Sequence, residues 1–209
     1  EKVGDIDNKP SIVLGAGIQE SVADQVRDTD TTSPIDGPYL VYVGRVEEAK
    51  GVQELLDFFI KFKRQNCNSS LKLVIVGRAF DCELPEHPDV VLPGFVSEFE
   101  KFRLIKHAKA LINPSQYESF SLVLIESWAM SRPVVVTHRC PATSGQVARS
   151  GGGFVYQNFR DFSWVLEQLE SDSSFINEFG NNGREFYEQN YRWCDVIPRF
   201  NSFIGKYLS

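Results

Sequence analysis

An α/β fold in three layers, a parallel sheet with helices on both faces, is predicted by three features of this 209-residue sequence. Short apolar runs recur along the chain. Segments with apolar residues at helical spacing separate them, and alternation of this kind marks a parallel sheet covered on both sides. An apolar share of 42% supplies a sizeable core.

Taken in order, residues 1–11 are polar, and "SIVLGAGIQES" (11–21) is a short apolar run ending in glycines. "DQVRDTDTTSPIDGP" (24–38) is rich in turn formers and reads as a loop. "YLVYVG" (39–44) reads as a buried strand and "GVQELLDFFIKFKRQN" (51–66) as a helix; "LKLVIVG" (71–77) and "DVVLPGFV" (89–96) follow as strands. "SEFEKFRLIKHAK" (97–109) reads as a helix opened by a capping box of Ser97 and Glu100. "ALINP" (110–114) is a strand, "SLVLIESWAM" (121–130) a helix, and "PVVVT" (133–137) and "GGFVY" (152–156) are strands. From Asp161 onward the chain reads as helical, with breaks near Gly180 and Pro198. Such sheets bind ligands beyond the C-terminal ends of their strands, which singles out the loops after Gly44, Gly77, Val96, Asn113 and Val136.

Composition excludes several classes. With 22 Lys and Arg against 28 Asp and Glu, the net charge of −6 argues against nucleic acid as a partner. Cys67, Cys82, Cys140 and Cys194 are scattered, with no CxxC pair, so neither a zinc site nor a disulfide framework is expected, and a reducing compartment is. There is no apolar run of ~18 residues. The chain starts at Glu1 and has one methionine, Met130, so it is expected to be a piece of a longer protein. No HExxH helix, P-loop or Ser-His-Asp order can be read.

The candidate chemistry lies in "PSQYESFSLVLIESWAMSRPVVV" (114–136). A helix beginning near Ser119 to Ser121 would leave its first N–H groups free for a phosphate. Glu118 would stand at the mouth of that site, with Glu126 roughly 10 Å further along, each able to accept from sugar hydroxyls. The plain alternative is a capping glutamate and a buried or surface glutamate. In "GRVEEAKG" (44–51), Arg45 and Lys50 are placed to reach one diphosphate, or else are two solvated basic residues beside Glu47 and Glu48. "GAGIQE" (15–20) has the first two glycines of a dinucleotide-binding turn but ends in Glu20, so a nicotinamide or flavin cofactor is not expected. "PGFVS" (93–97) offers backbone groups for a planar base or, as readily, is a turn carrying a core Phe. Lys101, Arg103, Lys106, His107 and Lys109 read as a solvated helix face or, alternatively, as a contact for a partner domain or an anionic membrane. His138, just past a strand, is the histidine nearest the expected ligand side.

Taken together, "VGR", "KG", "LVIVG", "PGFVS" and "INPSQYESFSLVLIESWAMSRPVV" resemble the C-terminal, donor-binding domain of retaining glycosyltransferases of the GT-B fold, family 4, the glycosyl transferases group 1 family. The likeness covers roughly residues 38–205, and its most specific element is the E-x7-E motif, Glu118 to Glu126. It implies a Rossmann-like half of a GT-B fold over 38–209, with 1–37 as inter-domain crossover and polar loop and an N-terminal acceptor domain outside this chain. It implies catalytic roles for Glu118 beside the donor sugar and for Arg45 and Lys50 on the diphosphate. Gly44, the backbone of Phe120, Ser121 and Leu122, Glu126 on the ribose, and Phe95 and Val96 near the base would complete the donor site, with Gly17 at the crossover and the last helix, around Trp193 to Tyr207, returning toward the missing domain. The implied partners are a nucleoside-diphosphate sugar and a glycan or lipid-linked acceptor, with no metal or other cofactor, in the cytoplasm or peripherally at the inner membrane face. A non-catalytic nucleotide-sugar-binding or scaffold domain of the same fold is the alternative. The chain departs from the family pattern at Ser121 and Ser131, where the family often has glycine, and in the segment 138–153, read as a loop, where an expected glutamate is absent and Gln146 is nearby.

Overall fold

The computed structural model describes Ile12, residues 14–79 and residues 84–206. All six expected runs form strands: β1 (Tyr39–Val43), β2 (Lys72–Val76), β3 (Val90–Gly94), β4 (Ala110–Asn113), β5 (Val134–Thr137) and β6 (Gly153–Tyr156). They make one sheet in the order β3-β2-β1-β4-β5-β6, and every pairing is parallel. The helices are α1 (Glu20–Thr29), α2 (Val52–Gln65), α3 (Glu98–His107), α4 (Leu122–Ala129), α5 (Pro141–Ser150), α6 (Phe159–Ser171), α7 (Ser173–Asn190) and α8 (Trp193–Gly205).

The two-residue period of the strands sorts their side chains between two cores. Val41, Val74, Leu111 and Val136 face Val26 of α1, Phe102 and Ile105 of α3, Trp128 of α4 and Tyr187 of α7. Leu40, Leu73, Ile112 and Val135 face Leu55, Phe59 and Phe62 of α2 and Phe162 and Leu166 of α6. Burial on both faces explains why the strands read as unbroken apolar runs. The expected three layers are present. No helix among the described residues is long and apolar enough to cross a membrane.

Four sequence expectations are corrected. Residues 24–38 are not one loop, because α1 runs through Thr29 with Ala23 and Val26 buried against the sheet. The basic residues of α3 are not a solvated face; three of them fasten α1. Lys106 Nζ donates to the carbonyls of Val26 and Arg27 at 2.9 and 2.8 Å and to that of Asp30, a cation at the negative end of a helix. Arg103 Nε and His107 Nε2 hold the two carboxylate oxygens of Asp30 at 3.2 and 2.8 Å. Half of the capping box forms: Ser97 Oγ accepts from Glu100 N at 3.2 Å, whereas the Glu100 carboxylate turns to Arg103 at 3.1 Å. Segment 138–153 contains a helix, α5, with Pro141 in its first turn and Gly151 in the left-handed conformation at its end.

The C-terminal breaks also fall elsewhere. Asp172 separates α6 from α7, its carboxylate accepting from Ser174 N at 2.7 Å, and Tyr191 and Arg192 precede α8, which continues through Pro198. Gly180 lies inside α7 because that helix runs against the turn after α4. A Cβ at Gly180 would stand 2.2 Å from the Ser131 carbonyl oxygen, and one at Gly183 would stand 2.0 Å from Trp128 Cδ1. "GAGIQE" leads into α1, and no described strand precedes it.

Two outcomes are expected. Gly180→Ala will lower stability by about 2 kcal/mol in denaturant unfolding, although alanine is the better helix former, because the clash is with backbone. Asp30→Asn will destabilise at neutral pH. Burial acts to raise the Asp30 pKa, but the hydrogen bonds and charges of His107 and Arg103 outweigh it and hold the carboxyl below the usual value. A depressed carboxylate stabilises above its unfolded pKa, ~3.9, and that contribution is lost as the pH falls through the folded value. The gap between wild type and Asp30→Asn therefore narrows as unfolding is followed from pH 6 down to about pH 3.

Candidate functional site at the strand-order reversal

From β1 the chain builds outward to β2 and β3, then returns to lay β4 on the other side of β1. At such a reversal the loops leaving the two central strands diverge and leave a crevice at the C-terminal edge. The β1 loop ends in a 3-10 turn, Glu48–Lys50, closed by Gly51 at φ 71°. A Cβ on Gly51 would lie 2.6 Å from the Pro114 carbonyl oxygen, so its absence lets the β1 and β4 loops touch. Lys50 Nζ then reaches Glu118 Oε1 at 2.9 Å, with side chains 22% and 18% exposed.

Asn113, the last residue of β4, shapes the next loop. Its Oδ1 accepts from Ser115 N at 3.0 Å and its Nδ2 donates to Ser121 Oγ at 2.8 Å. Gln146 Nε2, buried in α5, donates to the Phe120 carbonyl at 2.6 Å. The Phe120 ring packs edge-on against Tyr191, leaving its backbone toward the loop. Ser121 takes a left-handed conformation at φ 61°, and α4 starts at Leu122 with no side-chain cap and no acid in its first turn. The first-turn amides and the positive end of the helix dipole are thus left for an anion. Because the helix starts at Leu122, Glu118 and Glu126 do not share it, and each takes its own lysine.

Two cavities open nearby, one beside the loops after β1, β2 and β3 and one beside the start of α4. One of about 430 Å³ is lined by Gly44, Arg45, Arg78, Phe95, Val96, Glu98 and Lys101, with the Arg78 guanidinium 5.1 Å from the Phe95 ring centre. The other, about 660 Å³, is lined by Gly17, Glu20, Leu122, Glu126, Trp193, Glu98 and Lys101. Trp193 Nε1 donates to the Ile18 carbonyl at 3.0 Å and fixes that wall. Glu98 and Lys101 border both cavities. Lys101 Nζ contacts Glu98 Oε2 and Glu126 Oε1, each at 2.7 Å. Burial pushes the Glu126 pKa above its usual value, and the Lys101 charge offsets this only in part. Burial works against the Lys101 charge as well, but the Glu126 and Glu98 carboxylates outweigh it and raise the ammonium pKa.

The structure therefore brings Lys50 to Glu118, Gly44 and Arg45 to Phe95 and Val96, and Gly17 to Leu122 and Glu126. It does not bring Arg45 onto a partner shared with Lys50, since Arg45 is 63% exposed and pairs with Glu47 at 3.0 Å. His138 is exposed at the strand end. Glu98 and Arg78 escaped the sequence reading, and Lys101 passed for a solvated residue. The available signal was the i,i+3 spacing of Glu98 and Lys101 directly after the Ser97 cap.

Residues 27–186 match the pattern of the family described as Glycosyl transferases group 1. The chain belongs to this family. Among similar group 1 relatives, the capsular polysaccharide biosynthesis glycosyltransferase CapM of Staphylococcus aureus is 27% identical over 179 residues, 78% of this chain and 46% of that protein. A D-inositol 3-phosphate glycosyltransferase of an Arthrobacter species is 25% identical over 192 residues, 81% of this chain and 44% of that protein. The chain thus spans less than half the length of these relatives. Its fold is shared with WaaG, a glycosyltransferase involved in lipopolysaccharide biosynthesis, at a TM-score of 0.70 and 16% identity, covering 93% of this chain and 56% of that one. It is also shared with the C-terminal domain of the group 1 protein LpcC from Francisella tularensis, at 0.64 and 17%, covering 86% of this chain and 97% of that one. The solved neighbours are GT-B glycosyltransferases, of which this Rossmann-like sheet corresponds to one domain.

In this group 1 domain, Lys101→Met will leave two carboxylates facing each other without a cation. Glu126 already has a raised pKa, so its ionisation opposes folding once the pH exceeds its unfolded value of ~4.3. The loss should be small near pH 4 and reach about 3 kcal/mol near pH 7, measured by urea unfolding.

Proposed function

We propose that this chain is the donor-binding domain of a retaining glycosyltransferase of family 4, which takes a sugar from a nucleoside diphosphate and passes it to a glycan or lipid-linked acceptor in polysaccharide biosynthesis. The observation that carries this reading is the Lys50–Glu118 pair across the strand-order reversal, beside the uncapped start of α4. A diphosphate on the amides of Ser121 and Leu122 lies within reach of Lys50 and, after a change of partner from Glu47, of Arg45.

The chemistry follows from charge. As the bond between the anomeric carbon and the phosphate oxygen breaks, its electron pair goes to the diphosphate. Lys50, Arg45 and the α4 amides stabilise that negative charge, and no metal is required for it. Positive charge grows on the sugar, where Glu118 stabilises it and holds the hydroxyls. Glu126 accepts from the ribose hydroxyls, and Phe95 and Val96 border the base.

The acceptor side belongs to a further domain. Trp193, Ile197 and Phe200 are 43%, 50% and 46% exposed, and their i, i+4, i+7 spacing makes an apolar stripe along α8 to receive it. The relative CapM carries capsular polysaccharide biosynthesis in its name, in keeping with an acceptor of that class. Work in the cytoplasm, peripherally at the inner membrane face, belongs to the same reading.

In calorimetric titration the chain should bind a nucleoside diphosphate and not NAD. Lys50→Ala and Glu126→Ala should each weaken binding about tenfold or more, as expected for losing a hydrogen bond to a charged group. The chain alone should transfer no sugar. Binding that neither substitution affects would sink the proposal.

A further inference from the structure

The rim of the smaller cavity carries a carboxylate and an ammonium side by side on one turn of α3. Glu98 Oε2 and Lys101 Nζ are 2.7 Å apart, and both border the cavity of about 430 Å³ with Phe95 and Val96. Glu98 is 45% exposed in its side chain, and its Oε1 has no hydrogen-bond partner among the described residues. Lys101 is 13% exposed and held from behind by Glu126, so its ammonium is fixed where the two cavities meet. Phe95, 74% exposed, offers a flat apolar face in the same cavity.

Resting on the donor-site reading above, we infer that this cavity takes guanine, so that the donor is a guanosine-diphosphate sugar. Guanine presents two adjacent N–H donors, N1–H and the 2-amino group, followed by the O6 acceptor. A carboxylate accepts two parallel N–H bonds, and an ammonium beside it donates to O6. Uracil presents one N–H between two carbonyl oxygens, so a carboxylate facing that edge gains one bond and sets its second oxygen against an acceptor lone pair. Adenine presents the N1 lone pair where Glu98 needs a donor. An analogue that leaves the Glu98 carboxylate or the Lys101 ammonium without its partner forfeits those charge-assisted bonds. The position also suits a nucleoside: Lys101 joins the base-edge carboxylate Glu98 to Glu126, the carboxylate assigned to the ribose.

Calorimetric titration of the chain with GDP, IDP, UDP and ADP tests this, since inosine differs from guanosine only in lacking the 2-amino group. GDP should bind at least about tenfold more tightly than UDP or ADP, and IDP about tenfold more weakly than GDP. Glu98→Gln should bring GDP to the level of IDP and leave UDP unchanged. UDP binding as tight as GDP, still weakened by Lys50→Ala, would overturn the base assignment while the donor-site reading stood. Equal weakening of all four ligands by Glu98→Gln would make Glu98 a merely structural residue and overturn it too. Binding of no diphosphate would overturn both readings.

Discussion

Between β1 and β4 the sheet changes its direction of growth, and the loops leaving these neighbouring strands part toward opposite faces. Two segments far apart in sequence therefore end a few ångströms apart with no secondary structure between them. Lys50 follows β1 and Glu118 follows β4, yet they touch at 2.9 Å. The contact needs two close approaches. Gly51 brings its backbone onto the Pro114 carbonyl, where no side chain would fit, and Asn113 bonds Ser115 and Ser121 so that the β4 loop curls back over the strand end. The uncapped start of α4 is a product of the same curl.

The charges around the crevice are matched within the protein. Arg45 holds Glu47, Lys50 holds Glu118, and Lys101 holds Glu98 and Glu126. The Lys50–Glu118 and Lys101–Glu126 pairs are largely withdrawn from water, so each of these side chains alone would bear a desolvation penalty. Pairing holds them oriented. In the proposed donor site a diphosphate at α4 would compete with carboxylates for Lys50 and Arg45, whereas Lys101 stays between its two acidic partners.

The strands were legible because burial on both faces leaves a run of apolar residues that admits few other readings. Helices α2 and α4 were legible from their apolar spacing. Helices α1 and α5 were not. Each buries only a few side chains, Ala23 and Val26 in one and Thr143, Gln146 and Val147 in the other, and both hold many residues that favour turns. Contacts from α3 decide the first, and the buried bond from Gln146 to Phe120 ties the second to the site. Gly180 misled as a helix breaker because its role is to admit the Ser131 carbonyl. Of the candidate site, the residues after β1 and β4 could be read in advance. Lys101 could not, because a lysine on a helix reads the same whether it faces water or two carboxylates. Ser121 and Ser131 both have positive φ, 61° and 54°, a conformation that glycine adopts freely and that costs a serine about 1 kcal/mol.

Helix α4 joins core to chemistry. Leu124, Ile125 and Trp128 are fully buried, and Trp128 Nε1 donates to the Gly152 carbonyl at 2.8 Å while its ring lies against Gly183 of α7. One turn of the same helix carries Glu126 into the larger cavity, and its first turn carries the amides offered to a phosphate. An eight-residue helix would fray if it stood alone. Held by an indole between two glycines, its axis cannot tilt without opening the core. Its N-terminal dipole and Glu126 are therefore fixed by the core itself, as a pre-organised site requires.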